Sequence, residues 1–300
     1  MSSTREKIGF IGLGKMGRPM AEHLKNADYE VMVFDISSEL TTATSLEIKA
    51  TAAKNISEIG SYADIVITSL PNVSIVNDVV FGDEGLSSSM SSGNLLIDMS
   101  SCDPIKTQEI GNRLAGSNIN MIDAPISGGV KGAKSATLAI IVGGTDINMK
   151  RAKPILDILG SNVFHTGDLG CGQAMKALNN LCSATGLLIV AESLKAGKTF
   201  GLKPEMIVDV LNASSGRNNS TENKVKQFII SNEYEKAGFA MDLMVKDITT
   251  AISFAEKINI SMPLGNKSVD LWSEALSSLK GSPDHTEIAR WVDVTKQHNT

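Results

Sequence analysis

The chain has 300 residues, about the length of two domains of ordinary size. Hydrophobic residues make up 42% of it and charged residues 20%, a composition typical of a globular protein and not of a disordered one. With 28 Lys and Arg against 33 Asp and Glu, the net charge is -5, so the chain lacks the basic surface of a nucleic-acid-binding protein.

The cysteines and the N-terminus indicate the compartment. Cys102, Cys171 and Cys182 include no CxxC pair, so neither a structural zinc site nor a disulfide framework is expected. The polar N-terminus leads straight into an apolar run, which argues against a signal peptide. No apolar run is expected to span a bilayer, and Lys and Arg form no membrane-binding cluster. We therefore expect a cytoplasmic protein without a metal, nucleic-acid or membrane partner.

The first half of the chain alternates short apolar runs with amphipathic segments. Runs bounded by polar or turn residues are typical of a parallel sheet covered by helices on both faces. Right-handed crossovers make such a sheet doubly wound, so an α/β domain is predicted. The predicted strands are 7–11, 30–34, 64–70, 94–99, 120–124 and 138–142, the last of which is expected to continue the same sheet.

The second half has helical patterns only. After about residue 164 the β-rich runs end, and residues 172–200 form one long predicted helix that is apolar on most sides. Segments 204–212, 219–231, 241–259 and 264–280 are also predicted helices. The sequence thus predicts an α/β domain in residues 1–165 and an all-helical domain in residues 166–300, joined by a long helix at about 171–200.

A glycine-rich segment, Gly12-Leu13-Gly14-Lys15-Met16-Gly17, follows the first predicted strand and opens a helix. In this position GxGxxG is the dinucleotide-binding fingerprint of the Rossmann fold. Gly12 permits the tight turn, Gly14 lets a pyrophosphate approach the backbone, and Gly17 lets helix and strand pack closely. The free N–H groups at the helix N-terminus attract the phosphates.

Asp35 follows the second predicted strand, eighteen residues after Gly17. A carboxylate there can accept hydrogen bonds from both adenosine ribose hydroxyls and would repel a 2′-phosphate. No arginine follows it, so NAD is expected rather than NADP. The alternative is an aspartate that only caps the next helix.

Two later segments carry polar groups suited to substrate chemistry. Ser127-Gly128-Gly129 offers a hydroxyl and backbone N–H groups to a carboxylate, although a plain turn has the same composition. Lys176 and Asn180 share an otherwise apolar helix face. Beside a positively charged nicotinamide, a buried lysine would favour its neutral form and could exchange a proton with an alcohol. A lysine that reaches out to solvent fits the same pattern.

Lys246 and Asp247 are neighbours within another apolar helical segment. Because adjacent residues lie on different faces of a helix, the two are not expected to meet. The pattern alone predicts a solvent-facing helix surface with salt bridges.

Four blocks of the chain occur in a fixed order: residues 9–20, 123–129, 170–180 and Lys246-Asp247. Together they resemble the β-hydroxyacid dehydrogenase family over nearly the whole chain. The resemblance implies that Lys176 is the general acid–base and that Asn180 lies beside it. It also implies that Ser127, Gly128 and Gly129 bind the substrate carboxylate. The cofactor contacts that it implies are Leu70, Pro71, Ser101 and Lys246.

The resemblance implies an NAD-dependent oxidoreductase that moves a hydride between nicotinamide and the hydroxyl carbon of a small 3-hydroxy acid of the 3-hydroxyisobutyrate type. Reduction of tartronate semialdehyde or sulfolactaldehyde at the same site is an alternative. The helical domain is expected to bind substrate and to form a homodimer or homotetramer. Arg217, in a Gly-containing helix connection, is a candidate to bind a distal anionic group, although a solvent-exposed arginine is the simpler interpretation.

Two other classes of protein fit part of the pattern. Imine reductases share the two-domain scaffold, but the resemblance implies an acid or a tyrosine in them where this chain has Lys176. A non-catalytic dinucleotide-binding sensor needs only the glycine segment. The simultaneous presence of Ser127, Lys176, Asn180 and Lys246 therefore argues for an enzyme.

Overall fold

The computed structural model describes residues 5–295, and the chain divides into two compact units, Met1–Lys176 and Ala177–Thr300. The first unit contains a parallel sheet of six strands in the order β3-β2-β1-β4-β5-β6. This is the order of a doubly wound dinucleotide-binding sheet, and with the helical second unit it confirms the predicted fold class. The strands are β1 Ile8–Ile11, β2 Val31–Phe34, β3 Thr51–Ala52, β4 Ile65–Thr68, β5 Leu95–Asp98 and β6 Asn120–Asp123.

Both faces of this sheet are buried, because alternate residues of a strand enter two different apolar cores. In β5, Leu95 and Ile97 belong to one core and Leu96 to the other. A strand buried on both sides has the continuous apolar run from which the sheet was predicted. The helices of the first unit are α1 Gly17–Asn26, α2 Ser38–Ile48, α3 Ile56–Tyr62, α4 Val73–Phe81, α5 Leu86–Ser89, α6 Pro104–Ala115, α7 Gly129–Lys134 and α8 Asp146–Leu159.

The run 138–142 does not continue the parallel sheet, so that prediction is wrong. It is the middle strand, β8 Leu138–Val142, of a second sheet of three, antiparallel to β7 Ile126–Ser127 and parallel to β9 Gly160–His165. An isolated bridge, Asp123 to Gly143, connects β6 with the residue after β8. The reason is that the chain after β6 first forms β7, which occupies one hydrogen-bonding edge of β8.

The second unit is helical around a core that includes the fully buried Trp272. The long helix α9 Cys171–Phe200 contains the boundary between the units. The other helices are α10 Pro204–Asn212, α11 Asn219–Asn223, α12 Met241–Lys257, α13 Pro263–Ser278 and α14 Ile288–Val294, with a π-helical segment Val225–Ile230 and 3₁₀ turns Tyr234–Lys236 and His285–Glu287.

The structure differs from the predicted helices at two places. The helix expected over 219–231 divides at Lys224, whose backbone leaves the helical region at φ -129°. Helix α14 was not predicted, although Asp284 and Glu287 form a capping box just before it. A DxxE spacing is a recognised start signal for a helix, so this signal was available in the sequence.

Helix α9 is long and apolar enough to cross a membrane by length and composition alone. It has 30 residues, and its most apolar window has a mean hydropathy of 1.3 and is 44% buried within the protein. The expectation that no apolar run reaches this length is therefore corrected. These two properties say little by themselves, because the core helix of a globular protein shares them.

Candidate functional site

The glycine segment forms the turn between β1 and α1. Gly12 has φ +97°, and a Cβ there would lie 2.3 Å from the Ser69 carbonyl oxygen. A Cβ on Gly17 would lie 1.8 Å from the Gly12 carbonyl oxygen. Neither position has room for a side chain, because in both cases the obstacle is backbone.

Gly14 differs from its two neighbours in the motif. No atom of residues 5–295 lies within 4 Å of the position that its Cβ would take, so packing within this part of the chain does not require glycine here. The adjacent helix α1 has no side-chain cap at its N-terminus and no acidic residue in its first turn. Open space over an uncapped helix N-terminus is what a pyrophosphate needs, so these residues fit a dinucleotide.

Asp35 lies directly after β2 and is joined to the glycine turn. Its Oδ2 accepts a hydrogen bond from the Leu13 N–H at 2.8 Å, and its Oδ1 accepts one from the Ser37 N–H at 3.0 Å. Each carboxylate oxygen can accept more than one hydrogen bond, so both retain capacity for a ribose hydroxyl. Within the same turn Lys15 is exposed and Met16 is half-buried.

Two loops follow β4 and β5 and are tied together. The Leu70 N–H donates to the Ser100 hydroxyl at 2.9 Å, and the Ser100 N–H donates to Asp98 Oδ1 at 3.1 Å. The Thr68 hydroxyl donates to the same Asp98 oxygen at 2.8 Å. Asp98 is fully buried, and burial raises the pKa of its carboxyl group. These bonds fix the segments that carry Leu70 and, next to Ser100, Ser101.

The Gln173 side chain joins the start of α9 to the loop after β5 by two hydrogen bonds. The sequence did not predict this role. Its Oε1 accepts from the Cys102 N–H at 2.9 Å, and its Nε2 donates to the Ser100 carbonyl oxygen at 2.8 Å. The side chain is only 1% exposed. A glutamine on an apolar helix, three residues before Lys176, was the available signal.

Asp123, at the end of β6, also forms hydrogen bonds with the start of α9. Its two carboxylate oxygens accept from the N–H groups of Gly170 and Gln173, each at 2.7 Å. Burial raises the pKa of Asp123 to about 7, against the effect of these two N–H groups, which favour the carboxylate. Asp123 begins the block 123–129, but its place in the sequence indicates no role for it.

Replacing Gln173 with leucine is expected to lower the free energy of unfolding by about 1–3 kcal/mol, because the buried Cys102 N–H and Ser100 carbonyl would lose their hydrogen bonds to its side chain. Urea denaturation measures the change. Gln108→Leu is the matched control, because Gln108 is exposed and its side chain donates to the Leu169 carbonyl. Equal stability of the two variants would contradict the role of Gln173.

Ser127, Gly128 and Gly129 form the turn between β7 and α7. Gly128 has φ +131° and Gly129 has φ +60°, and both are exposed. Among residues 5–295 the half-exposed Ser127 hydroxyl has no hydrogen-bond partner, and no atom lies within 4 Å of a Cβ built on Gly129. A free hydroxyl next to two open glycines suits an incoming carboxylate.

Lys176 and Asn180 are both buried on α9, at 8% and 6% exposure. Asn180 Nδ2 donates to Asp247 Oδ2 at 2.6 Å, and Asn180 Oδ1 accepts from Asn179 at 3.2 Å. Lys246 Nζ lies 3.0 Å from the other oxygen of Asp247.

The solvent-facing interpretation of Lys246 and Asp247 is therefore wrong. The two adjacent side chains do meet, and Asp247 is 6% exposed. Asp247 is a candidate functional residue that the sequence did not reveal, because its partner Asn180 is 67 residues away in the chain. Arg217, by contrast, has a 63% exposed side chain that lies 3.4 Å from Glu222.

Each unit thus places some of the predicted site residues close to one another. In the first unit the glycine turn meets Asp35, and the loops after β4 and β5 meet the start of α9. In the second unit Asn180 and Lys246 meet at Asp247.

Comparison with known proteins covers both units. Residues 7–167 match the family model described as the NAD binding domain of 6-phosphogluconate dehydrogenase. Residues 170–292 match the model described as NAD-binding of NADP-dependent 3-hydroxyisobutyrate dehydrogenase. The chain is 36% identical to 2-(hydroxymethyl)glutarate dehydrogenase of Eubacterium barkeri over 96% of both proteins. It is also 36% identical to 3-hydroxyisobutyrate dehydrogenase of Pseudomonas aeruginosa, over 89% of this chain and 91% of that one.

A solved structure agrees. 3-Hydroxyisobutyrate dehydrogenase of Mycobacterium tuberculosis with L-serine superposes with a TM-score of 0.89 at 27% identity, over 96% of this chain and 99% of that one. The two family models and these relatives confirm the resemblance found in the four sequence blocks. The chain belongs to the β-hydroxyacid dehydrogenase family, whose members are NAD(P)-binding oxidoreductases that act on the CH–OH group of small hydroxy acids.

Proposed function

We propose that this enzyme uses NAD to oxidise 3-hydroxy acids of the 3-hydroxyisobutyrate type and that Lys176 exchanges the hydroxyl proton. The observation that carries the proposal is the polar pair on an apolar helix, Lys176 and Asn180, both more than nine-tenths buried. The two side chains lie about one helical turn apart on one face, so an amine that can take a proton stands beside an amide that can orient the same alcohol oxygen.

Each group then has a defined task. The Ser127 hydroxyl and the N–H groups of Gly128 and Gly129 bind the substrate carboxylate. Lys176 Nζ in its neutral form accepts the hydroxyl proton as the alcohol becomes a carbonyl. Asn180 has one N–H left after donating to Asp247, and this N–H donates to the substrate oxygen. A nicotinamide bound by these residues would supply the hydride acceptor for the alcohol carbon, and Lys176 would take the accompanying proton.

The cofactor contacts follow from the same parts of the chain. The turn Gly12–Gly17 binds the pyrophosphate, Asp35 binds the ribose, and Leu70, Pro71 and Ser101 line the nucleotide. Lys246, which lies 3.0 Å from Asp247, is the remaining proposed cofactor contact. Arg217 remains a candidate for a distal anionic group of the substrate.

An assay of turnover tests the proposal. The protein is incubated with NAD and a panel of 3-hydroxy acids, and absorbance of the reduced nicotinamide is followed. The reverse assay with NADH covers tartronate semialdehyde and sulfolactaldehyde, the alternative substrates. Tight NAD binding without turnover of any acid or semialdehyde would favour a non-catalytic sensor.

Asp35→Ala is expected to lower the preference for NAD over NADP by about 10- to 100-fold, because the variant has no carboxylate to repel the 2′-phosphate. The measurement is kcat/KM with each dinucleotide at a fixed acid concentration. Glu39→Gln, which removes an exposed carboxylate from the first turn of α2, is the matched control and should not change the ratio. An unchanged ratio in Asp35→Ala would mean that another residue selects the cofactor.

The assembly and location are part of the proposal. We expect a homodimer or homotetramer in the cytoplasm, formed through the helical unit. Large apolar side chains are exposed there near the end of α9 and along α10, namely Phe200, Leu202, Met206 and Val210. Exposed apolar groups of this kind are typical of a surface that a second subunit covers.

A further inference from the structure

Lys224 lies where α11 ends and the π-helical segment begins. Its Nζ donates to the Ser183 hydroxyl of α9 at 3.3 Å. Among residues 5–295 no carboxylate forms an ion pair with it. The side chain is only partly exposed, so a positive charge is held away from bulk water beside a neutral hydroxyl.

The charge of Asp284 acts on Lys224, but the carboxylate oxygens of Asp284 contact other groups. Asp284 Oδ1 accepts from the Thr286 N–H at 2.8 Å and lies 3.0 Å from the His285 ring, while Oδ2 accepts from the Phe239 N–H at 2.8 Å. Burial lowers the pKa of Lys224 to about 8, although the charge of Asp284 raises it. Lys224 is thus still largely protonated at neutral pH and lacks a contacting counter-ion. An arrangement of this kind is unfavourable unless an anion arrives.

Ser183, which Lys224 contacts, lies on the same helix α9 as the proposed reacting residues. It follows Lys176 by seven residues, close to two turns, so both lie on one face of the helix together with Asn180. The rise from Asn180 to Ser183 is about 4.5 Å. The hydroxyl that Lys224 contacts is therefore one turn beyond the amide proposed to hold the substrate oxygen.

We propose that Lys224 and Ser183 bind a second anionic group of the substrate, one that a short carbon chain separates from the reacting hydroxyl. The inference rests on the proposed function, because it takes Lys176 and Asn180 as the reacting end. A two-carbon arm that ends in a carboxylate spans about the rise of one helical turn. The substrate class is then a 3-hydroxy acid with a second carboxylate.

Two acids differ only in this arm. 2-(Hydroxymethyl)glutarate carries a carboxyethyl group where 3-hydroxyisobutyrate carries a methyl group. Lys224→Met is expected to lower the ratio of kcat/KM for the diacid to that for the monoacid by about 10- to 100-fold, because one charge-assisted hydrogen bond is lost. Ser183→Ala should lower the same ratio by about 3- to 10-fold, since its hydroxyl is neutral.

Matched variants separate this site from general charge effects. Lys226→Met removes an exposed lysine two residues away that pairs with Asp209, and it should leave the ratio unchanged. Arg217→Ala tests the other candidate cation. A selective loss in Arg217→Ala but not in Lys224→Met would overturn the proposal, as would an equal effect of Lys224→Met on both acids.

A binding measurement makes the result independent of turnover. Calorimetric titration of 2-(hydroxymethyl)glutarate should show about 10- to 100-fold weaker binding to Lys224→Met than to the wild type, and equal affinities would overturn the proposal. If the enzyme oxidises 3-hydroxyisobutyrate but not the diacid, the proposed site at Lys224 and Ser183 is wrong and the proposed function stands. Absence of turnover with both acids, with intact binding of the diacid through Lys224, would overturn the proposed function alone. If Lys224→Met does not fold, Lys224→Gln replaces it.

Discussion

Lys176→Ala is expected to lower kcat by a factor of about 10² to 10⁴ while the dinucleotide still binds nearly as in the wild type. The loss is in the chemical step, because alanine cannot take the hydroxyl proton. Binding is retained because the glycine turn and Asp35, which are proposed to hold the dinucleotide, do not depend on this side chain. Single-turnover kinetics and NADH titration measure the two effects separately.

Lys176→Arg distinguishes proton transfer from charge. A guanidinium keeps the positive charge but stays protonated, so this variant should be about as slow as Lys176→Ala. Lys198→Ala on the same helix is the control, because Lys198 is half-exposed and pairs with Asp293 at 3.0 Å. If Lys176→Ala kept more than about a tenth of the wild-type kcat, the proton would be travelling through another group.

The parallel sheet could be predicted because a local pattern encodes it. Its longer strands are buried on both sides and therefore contain runs of consecutive apolar residues, such as residues 65–67 of β4 and 95–97 of β5. The exception is β3, which has only two residues, both exposed, and no apolar run to reveal it. The second sheet was missed for a different reason, since the pairing of β8 depends on where the two-residue β7 lies.

The candidate site was predicted where a motif has fixed spacing and was missed where contacts are distant in the chain. The glycine turn and the Lys176–Asn180 pair are local, so their spacing alone shows which side chains share a turn or a helix face. Gln173 contacts Cys102 across 71 residues, and Asn180 contacts Asp247 across 67. The periodicity of a single sequence does not predict such contacts, because they depend on how separate helices and strands pack.

Gly14→Ala and Gly17→Ala are expected to act on different properties of the protein. A Cβ on Gly14 meets no atom of the described part of the chain, and the residue does not have a positive φ, so the free energy of unfolding should change by less than about 1 kcal/mol. The added methyl group instead occupies the space in which the pyrophosphate approaches. Dinucleotide affinity should fall by about 10- to 100-fold, the effect of overpacking by one carbon.

Gly17→Ala should instead lower the stability of the first unit. Its Cβ would lie 1.8 Å from the Gly12 carbonyl oxygen and 3.0 Å from the Phe10 ring, so either β1 or α1 must move. A loss of about 1–3 kcal/mol in the free energy of unfolding is expected by urea denaturation. NADH titration of the folded Gly14→Ala protein completes the comparison. Wild-type affinity there would mean that the phosphates do not pass over Gly14, and a destabilised Gly14→Ala would mean that the space belongs to the fold rather than to a ligand.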